Sequence, residues 1–183
     1  MEDPIKEDAA EVIHSLHELG FSRIVMLTGD NDRTAKAVAR EIGIDGYRAE
    51  VLPADKAGFV RAEHKAGRKA VMIGDGINDS QALSEADVGI AVNSGAAIAR
   101  EIADVEIGED NLHTLVTLRR LCSALQKRNR RDYAAILGFN SLLIALGMAG
   151  VLPPTLTALL HNTSTIAIAM HNMTDLLPED GRR

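Results

Sequence analysis

Two short motifs in the first half of the sequence place acidic side chains and glycines directly after an apolar run. Thr28-Gly29-Asp30 follows the run Arg23–Leu27, and Gly74-Asp75-Gly76-Ile77-Asn78-Asp79 follows the run Lys69–Ile73. Glycines let a ligand approach the backbone closely and expose amide N–H groups, which suit phosphate. The two carboxylates of the second motif could hold Mg²⁺, a hard cation that prefers oxygen ligands. The motifs therefore indicate phosphate and magnesium chemistry.

A lysine between the two motifs adds a positive charge. Lys56 ends the segment Leu-Pro-Ala-Asp-Lys, and its ammonium group could neutralise a phosphoryl group. Each feature taken singly has an ordinary alternative, since Asp-Gly and Asn-Asp are turn dipeptides and a single lysine is usually solvated. Their common position at the ends of predicted strands favours one shared site.

The elements that would position these motifs alternate between strand and helix. The pattern predicts strands at Arg23–Leu27, Tyr47–Val51, Lys69–Ile73, Val88–Val92 and Asp104–Ile107. It predicts helices at Lys6–Leu19, Asn31–Ile42, Pro53–Ala66, Asn78–Glu85, Ala96–Ala103 and Asn111–Arg131. This alternation is typical of an α/β fold with a parallel sheet and flanking helices, in which active sites lie at the carboxyl ends of strands.

Composition excludes several classes of protein. The 183 residues are 46% hydrophobic but only 3% aromatic, so the core must consist of aliphatic side chains. A formal net charge of -6 argues against a nucleic-acid partner, since a phosphate backbone attracts a basic face. The single cysteine, Cys122, excludes an internal disulfide and a cysteine-cluster metal site. The acidic N-terminus is unlike a signal peptide.

The sequence changes character after the basic cluster Lys127-Arg128-Asn129-Arg130-Arg131. Residues 133–152 carry no charge, Pro153-Pro154 follows, and the run 155–177 is uncharged up to Asp175. Each run is long enough to span a bilayer as a helix, and a buried core helix is the alternative. The positive-inside rule then predicts that residues 1–131 and the C-terminus are cytoplasmic. We expect a multi-pass protein of the cell membrane with a two-helix transmembrane hairpin.

Three segments together resemble a known superfamily. Met26–Asn31, Val51–Lys56 and Met72–Val92 resemble the second, third and fourth motifs of the haloacid dehalogenase-like proteins, in the form found in cation-pumping P-type ATPases. Asn93–Val105 resembles the segment that follows, and the apolar runs resemble the last membrane pair of heavy-metal pumps. The resemblance implies a partial Rossmann-like phosphorylation domain in residues 1–126, with a basic linker and transmembrane pair in residues 127–183.

The resemblance also implies roles for the first motif. Thr28 would hydrogen-bond the transferring phosphoryl group, and Gly29 would allow its close approach. Asp30 would serve nucleotide or metal binding. ATP is therefore an implied cofactor, although no ATP-binding domain is found in this sequence.

The remaining roles fall on Lys56 and on the second motif. Lys56 would neutralise phosphoryl charge, and Asn78 would contact the phosphoryl group. Asp75 would be a ligand of Mg²⁺, and Asp79 would orient Lys56. Such an arrangement fits phosphoryl transfer, in which positioning and charge stabilisation carry most of the catalysis.

The nucleophile of the family is missing. It is an aspartate in Asp-Lys-Thr-Gly-Thr, whereas Asp3 and Asp8 precede Pro4 and Ala9 here. In the family its strand lies between the strands that carry the two motifs. Those strands must then pair with each other or receive a strand from another chain, since buried unpaired backbone groups are costly. We expect a fragment whose partner is the upstream part of a pump, and no ATP hydrolysis by this chain alone.

Polar side chains in the second apolar run indicate a path for a cation. His161, Ser164 and Thr165 share a helix face, and Asn140 in the first run could be an oxygen partner. The five residues from His161 resemble the His-Glu-Gly-Ser-Thr segment of some cobalt- or zinc-type pumps, without its carboxylate. We expect His161 to bind a transported metal of zinc, cadmium or cobalt type, with His171 as a second candidate. Hydrogen bonds that merely bridge the helices are the alternative.

The leading hypothesis is a fragment of an ATP-driven heavy-metal pump. One alternative is a non-catalytic membrane partner that completes or regulates a split pump. Another is a soluble phosphatase of the haloacid dehalogenase-like superfamily. The missing nucleophile and the apolar second part disfavour the phosphatase.

Overall fold

The computed structural model describes residues 8–74, 77–92, 101–108 and 111–177. The chain divides into two compact units, Met1–Val116 and Thr117–Arg183. The first unit contains, in order, α1 (Ala9–Glu18), β1 (Val25–Leu27), α2 (Asp32–Ile42), β2 (Gly46–Arg48), α3 (Pro53–Lys65), β3 (Val71–Gly74), a 3-10 turn (Ile77–Asp79), α4 (Ser80–Glu85), β4 (Val88–Val92) and β5 (Val105–Ile107). Helix α5 (His113–Met148) begins in the first unit and continues in the second, where α6 (Pro154–His171) follows.

The strands form parallel sheets, which confirms the α/β fold. β1 pairs with β2 in one sheet, and β3, β4 and β5 form a second sheet in that order. Val25 lies opposite Gly46 in the first sheet, and Ile73 lies opposite Ile90 in the second. In the part of the chain that the structure describes, β1 and β3 do not pair with each other. Each therefore has one edge without a strand partner among these residues.

One face of β3 is incompletely covered. Val71 and Ile73 are each 41% exposed, although they lie in a parallel strand. Met72, between them, points to the opposite face and packs against the buried residues Ala57 and Val60 of α3. Parallel strands are normally covered on both faces. The exposed side chains show that α3 and α4 cover only one side of this strand.

The first unit has two clusters of buried side chains. The first cluster consists of small side chains of α3 and α4 beneath β3, so these helices lie close to the strand. The other consists of Val12, Leu16 and Val116, with Phe21 and Ile24 packed against it. Both clusters are largely aliphatic, as the low aromatic content predicted.

One predicted strand in the first unit ends early, and one predicted helix lies mostly outside the described residues. The strand predicted at Tyr47–Val51 ends at Arg48, because Glu50 adopts a left-handed conformation with φ of 56°. An extended strand cannot continue through that conformation. The helix predicted at Ala96–Ala103 falls mostly outside the described residues.

The predicted apolar helices also end differently. The helix predicted at Asn111–Arg131 and the helix of the first apolar run form one continuous helix. It ends at Met148, because Gly150, with φ of 69°, reverses the chain just beyond. The second helix ends at His171, six residues before the predicted limit at Leu177. Across the described ranges, no helix combines the length and the apolar character needed to cross a membrane. The transmembrane hairpin stays a prediction.

Asp87 joins the starts of β3 and β4. Its carboxylate accepts hydrogen bonds from Lys69 Nζ at 2.5 Å, from the Ala70 N–H at 2.9 Å and from His64 Nε2 at 2.9 Å. These donors lower the pKa of the Asp87 carboxyl from its usual 3.8 to about 2, with the Lys69 hydrogen bond as the largest cause. The folded state therefore stabilises the ionised carboxylate relative to the unfolded chain.

This shift predicts a pH-dependent contribution to stability. A lowered pKa stabilises the fold above pH 3.8, and the contribution is lost as the pH falls toward about 2. We expect Asp87→Asn to lower the free energy of unfolding at pH 6, and the difference from wild type to shrink between pH 4 and pH 2. Urea denaturation across this pH range measures it. A difference that stays constant down to pH 2 would contradict the assignment.

The close packing around Gly89 predicts that a larger side chain at this position lowers stability. A Cβ at this position in β4 would lie 2.7 Å from the Leu83 carbonyl oxygen, so α4 and β4 would have to separate. We expect Gly89→Ala to lower the free energy of unfolding by about 1–3 kcal/mol, as overpacking does. Gly58→Ala in α3 is the matched control, since nothing lies within 4 Å of its Cβ. The control should stabilise by about 0.5–1 kcal/mol, because alanine favours helix. Equal effects of the two substitutions in urea denaturation would refute the packing argument.

Candidate functional site

The first motif forms a closed turn at the end of β1. The Thr28 hydroxyl donates to Asp30 Oδ2 at 2.8 Å, and the Asp30 N–H donates to Thr28 Oγ1 at 3.1 Å. Gly29 lies exposed at the tip of this turn. The two polar side chains are thus held together next to the start of α2.

The chain that follows β2 crosses over this turn and fixes it. The Glu50 N–H donates to the Asp30 carbonyl at 2.9 Å, and the Val51 N–H donates to the Thr28 carbonyl at 3.0 Å. On the other side Asn31 caps α2, because its Oδ1 accepts from the Thr34 N–H at 2.9 Å. The turn is therefore supported by the distant segment Glu50–Val51 and followed directly by a capped helix.

The second motif brings Lys56 and Asp79 into contact. Lys56 Nζ donates to Asp79 Oδ1 at 2.6 Å, and the two side chains are only 15% and 9% exposed. Lys56 lies in the first turn of α3, which Pro53 begins, and Asp79 ends the 3-10 turn after β3. Low exposure strengthens this ion pair, because little water screens the two charges.

Gly74 makes this contact possible. A Cβ on Gly74 would lie 2.7 Å from the Asp79 Cβ and 2.8 Å from its Oδ2. Only glycine therefore lets the Asp79 side chain fold back against the end of β3. Gly74 itself is buried, so the close approach occurs inside the fold rather than at its surface.

Of the two remaining predicted residues at this edge, the structure describes Asn78 but not Asp75. Asn78 is exposed, beside the buried Asp79. Asp75, the predicted Mg²⁺ ligand, lies outside the described residues. No hydrogen bond joins the Thr28–Asp30 turn to the Lys56–Asp79 pair within the described ranges. The structure thus brings the predicted residues together in two pairs.

The donor set of this edge suits a hard cation. The side chains of Thr28, Asp30 and Asn78 offer oxygen atoms, with no thiolate or imidazole among them, and oxygen is what Mg²⁺ prefers. In the described part of the chain no group of three His, Cys, Asp or Glu side chains could by itself hold a metal ion. A Mg²⁺ site here would consequently depend on Asp75 and on phosphate oxygens.

A cavity of about 400 Å³ opens between β1, β2 and α3. Its lining combines apolar side chains with one arginine and two acids. The lining residues are Leu27, Arg48, Ala49, Glu50, Val51, Asp55 and Phe59. The cavity therefore adjoins the end of β1, where the first motif begins.

The second unit holds the predicted transport residues. His161 Nδ1 lies 2.9 Å from Asn140 Oδ1, so α6 and α5 are joined at these positions. The hydroxyls of Ser164 and Thr165 both donate to the His161 carbonyl, at 2.8 and 3.0 Å. His171, the second candidate, instead contacts Arg131. The two histidines thus have different environments.

Sequence patterns missed the support of the first motif. The segment with Glu50 and Val51 was predicted to be the end of a strand, so their hydrogen bonds to the Thr28–Asp30 turn were not anticipated. The role of Gly74 beside Asp79 was also missed, although a glycine that ends a strand is a signal of close backbone approach. The contact between Arg131 and His171 had no local signal, because it joins residues 40 positions apart.

Comparisons with known proteins show which families this chain resembles. Residues 1–87 match the haloacid dehalogenase-like hydrolases. The zinc-exporting P-type ATPase of Mycobacterium marinum is 42% identical over 173 residues, which cover 94% of this chain and 24% of that protein. The manganese-exporting P-type ATPase of Mycobacterium leprae is also 42% identical, with the same coverage.

A solved structure shows the same likeness in three dimensions. The crystal structure of a zinc-transporting PIB-type ATPase in the E2.Pi state superimposes with a TM-score of 0.84 at 34% identity. It covers 91% of this chain and 27% of the pump. The chain thus spans about a quarter of the length of the proteins it resembles. Its residues 1–87 resemble a haloacid dehalogenase-like hydrolase domain, and most of its length is homologous to the corresponding part of heavy-metal P-type ATPases.

Proposed function

We propose that this chain acts as part of an ATP-driven transition-metal pump, in which it provides the magnesium- and phosphoryl-binding half of the phosphorylation site. The observation that carries this proposal is the Lys56–Asp79 pair at the end of β3. Asp79, which as a whole residue is only 6% exposed, holds Lys56 at the end of a strand. Parallel α/β proteins bind their ligands at such strand ends. Homology to whole pumps supplies the wider context.

The residues of this half-site would act on a phosphoryl group by position and charge. Thr28 would offer its hydroxyl, and Gly29 would leave room for the phosphoryl oxygens. Lys56 would neutralise their charge while Asp79 fixes its direction, and the exposed Asn78 would donate an amide N–H. Mg²⁺ bound through Asp75 and Asp30 would draw off further charge, and ATP would be the phosphoryl donor.

The nucleophile would come from a second polypeptide segment. The sequence contains no Asp-Lys-Thr-Gly-Thr, and the described parts of β1 and β3 each lack a partner at one edge. The exposed Val71 and Ile73 give β3 an apolar surface that an added element would cover. We infer that the partner is the upstream part of a pump, and that its nucleophile strand inserts between β1 and β3.

The second unit would belong to the membrane pathway of the cation. Large apolar side chains such as Leu137, Ile144 and Ile166 are 60–67% exposed, as expected of helices that pack in lipid or against other helices. We propose a multi-pass protein of the cell membrane, with residues 1–131 and the C-terminus in the cytoplasm. His161 would contact the transported cation.

The identity of the cation rests on ligand chemistry. Two relatives of equal identity are named as zinc- and manganese-exporting, so overall similarity does not select the metal. An imidazole ligand favours a borderline transition metal such as zinc, cobalt or cadmium. We therefore propose a cation of this group.

Phosphoenzyme formation tests the proposed half-site. We expect the chain alone to form no acid-stable phosphoenzyme from ATP. Co-production with the upstream part of the Mycobacterium marinum relative, which would carry the nucleophile, should restore phosphorylation and metal-stimulated ATP hydrolysis. Radiolabelled ATP followed by acid precipitation measures the first quantity. Clear phosphorylation of the chain alone, or none in the complemented pair, would sink the proposal.

Substitution of the Lys56–Asp79 pair separates charge from stability. Lys56→Met should lower the free energy of unfolding by about 3–5 kcal/mol, because it leaves Asp79 buried without a partner. Lys56→Met combined with Asp79→Leu should recover most of this loss, since apolar side chains of similar size replace the ion pair. The double variant should nevertheless give no phosphoenzyme in the complemented pump. Urea denaturation and the phosphorylation assay measure the two effects.

The control for this experiment is Lys65→Met, at the exposed end of α3. It removes the same charge from the same helix and should alter neither stability nor phosphorylation. A double variant that is stable and still phosphorylated at the normal rate would show that the Lys56 charge serves the fold alone.

A further inference from the structure

The two histidines of α6 use their ring nitrogens differently. Arg131 Nη2 lies 2.6 Å from His171 Nε2, and a guanidinium can only donate hydrogen bonds. His171 Nε2 must therefore accept this hydrogen bond, so its lone pair is occupied. His161 presents the other nitrogen, Nδ1, to Asn140.

The contact with Asn140 determines where the proton of the His161 ring lies. The Asn140 atom that faces the ring is Oδ1, at 2.9 Å, and a carbonyl oxygen can only accept. Nδ1 must then carry the hydrogen. A neutral imidazole has one N–H, so Nε2 is left with a free lone pair. His161 is an exposed residue in the described second unit.

The position of Asn140 is imposed by the hairpin rather than by His161 alone. Arg128, near the middle of α5, donates to the carbonyl oxygens of Thr174 and Asp175, both at 2.8 Å. Together with the Arg131–His171 contact, these bonds fix how α5 lies along α6. Asn140 therefore faces His161 as a result of contacts made elsewhere.

We propose that Asn140 is a positioning residue, which holds His161 as the Nδ1–H tautomer so that Nε2 is offered to a divalent transition-metal cation. This inference rests on the proposed function, in which His161 contacts the transported cation. Histidine ligands of metals commonly donate their second N–H to an oxygen, which orients the ring and raises its basicity. Asn140 provides that oxygen without carrying a charge of its own.

The tautomer can be measured directly in the full 183-residue chain. With ¹⁵N-labelled histidine in detergent micelles at pH 8, the two ring nitrogens of His161 should give the shifts of a protonated Nδ1 and a bare Nε2. Asn140→Leu removes the acceptor and should shift the ring toward the Nε2–H form. Asn140→Asp keeps an oxygen at the same place and should retain the Nδ1–H form. Co²⁺ serves as the metal probe, and Asn140→Leu should weaken its binding about 10–100-fold.

The control is Asn162→Leu, which removes the neighbouring amide from α6 and should leave both tautomer and Co²⁺ affinity unchanged. His161→Gln identifies the signals among the six histidines. A bare Nδ1 in the wild type, or an unchanged pattern in Asn140→Leu, would overturn the positioning role. The expected tautomer with no Co²⁺ binding by the wild-type chain would instead contradict the assignment of His161 to the cation, and with it the metal-offering part of this inference.

Discussion

A carboxylate buried beside the end of a strand must have a cation within hydrogen-bond distance, because an unpaired charge inside a protein is costly. Asp79 is such a group, and Lys56 meets this requirement at 2.6 Å. The contact depends on Gly74, whose missing Cβ leaves room for the Asp79 side chain. One ion pair thereby fixes α3, the end of β3 and the turn that leads into α4. Asn78, which precedes Asp79 in this turn, is exposed.

The second constraint is the hydrogen-bonding capacity of parallel strands. β1 and β3 end at the two motifs, yet the described strands belong to two different sheets. The apolar side chains of Val71 and Ile73 remain partly exposed where a complete α/β layer would cover them. The fold thus has the features expected if a further strand and its surroundings complete the sheet. Homology to proteins about four times as long agrees with this interpretation.

The hairpin of α5 and α6 shows how similar residues acquire different chemistry. His161 and His171 lie on the same helix, but one faces an amide oxygen and the other a guanidinium. The first contact leaves Nε2 free, and the second occupies it. Arg131 belongs to the basic cluster that marked the change of character in the sequence. Two members of that cluster, Arg128 and Arg131, therefore have specific structural contacts as well as charges.

The sequence by itself determined the α/β order of elements, the positions of both motifs and the aliphatic core. These features depend on periodicity and on residues within a few positions of each other, which a linear pattern records. Helix ends were predicted less well where a conformation such as that of Gly150 intervened. The family resemblance already implied that Asp79 orients Lys56. Only the tertiary structure decided that Glu50 and Val51 support the turn at Thr28, and that Asn140 rather than Arg131 faces His161. These contacts join residues 20 or more positions apart, and no local pattern specifies which distant groups the packing of helices and strands will bring together.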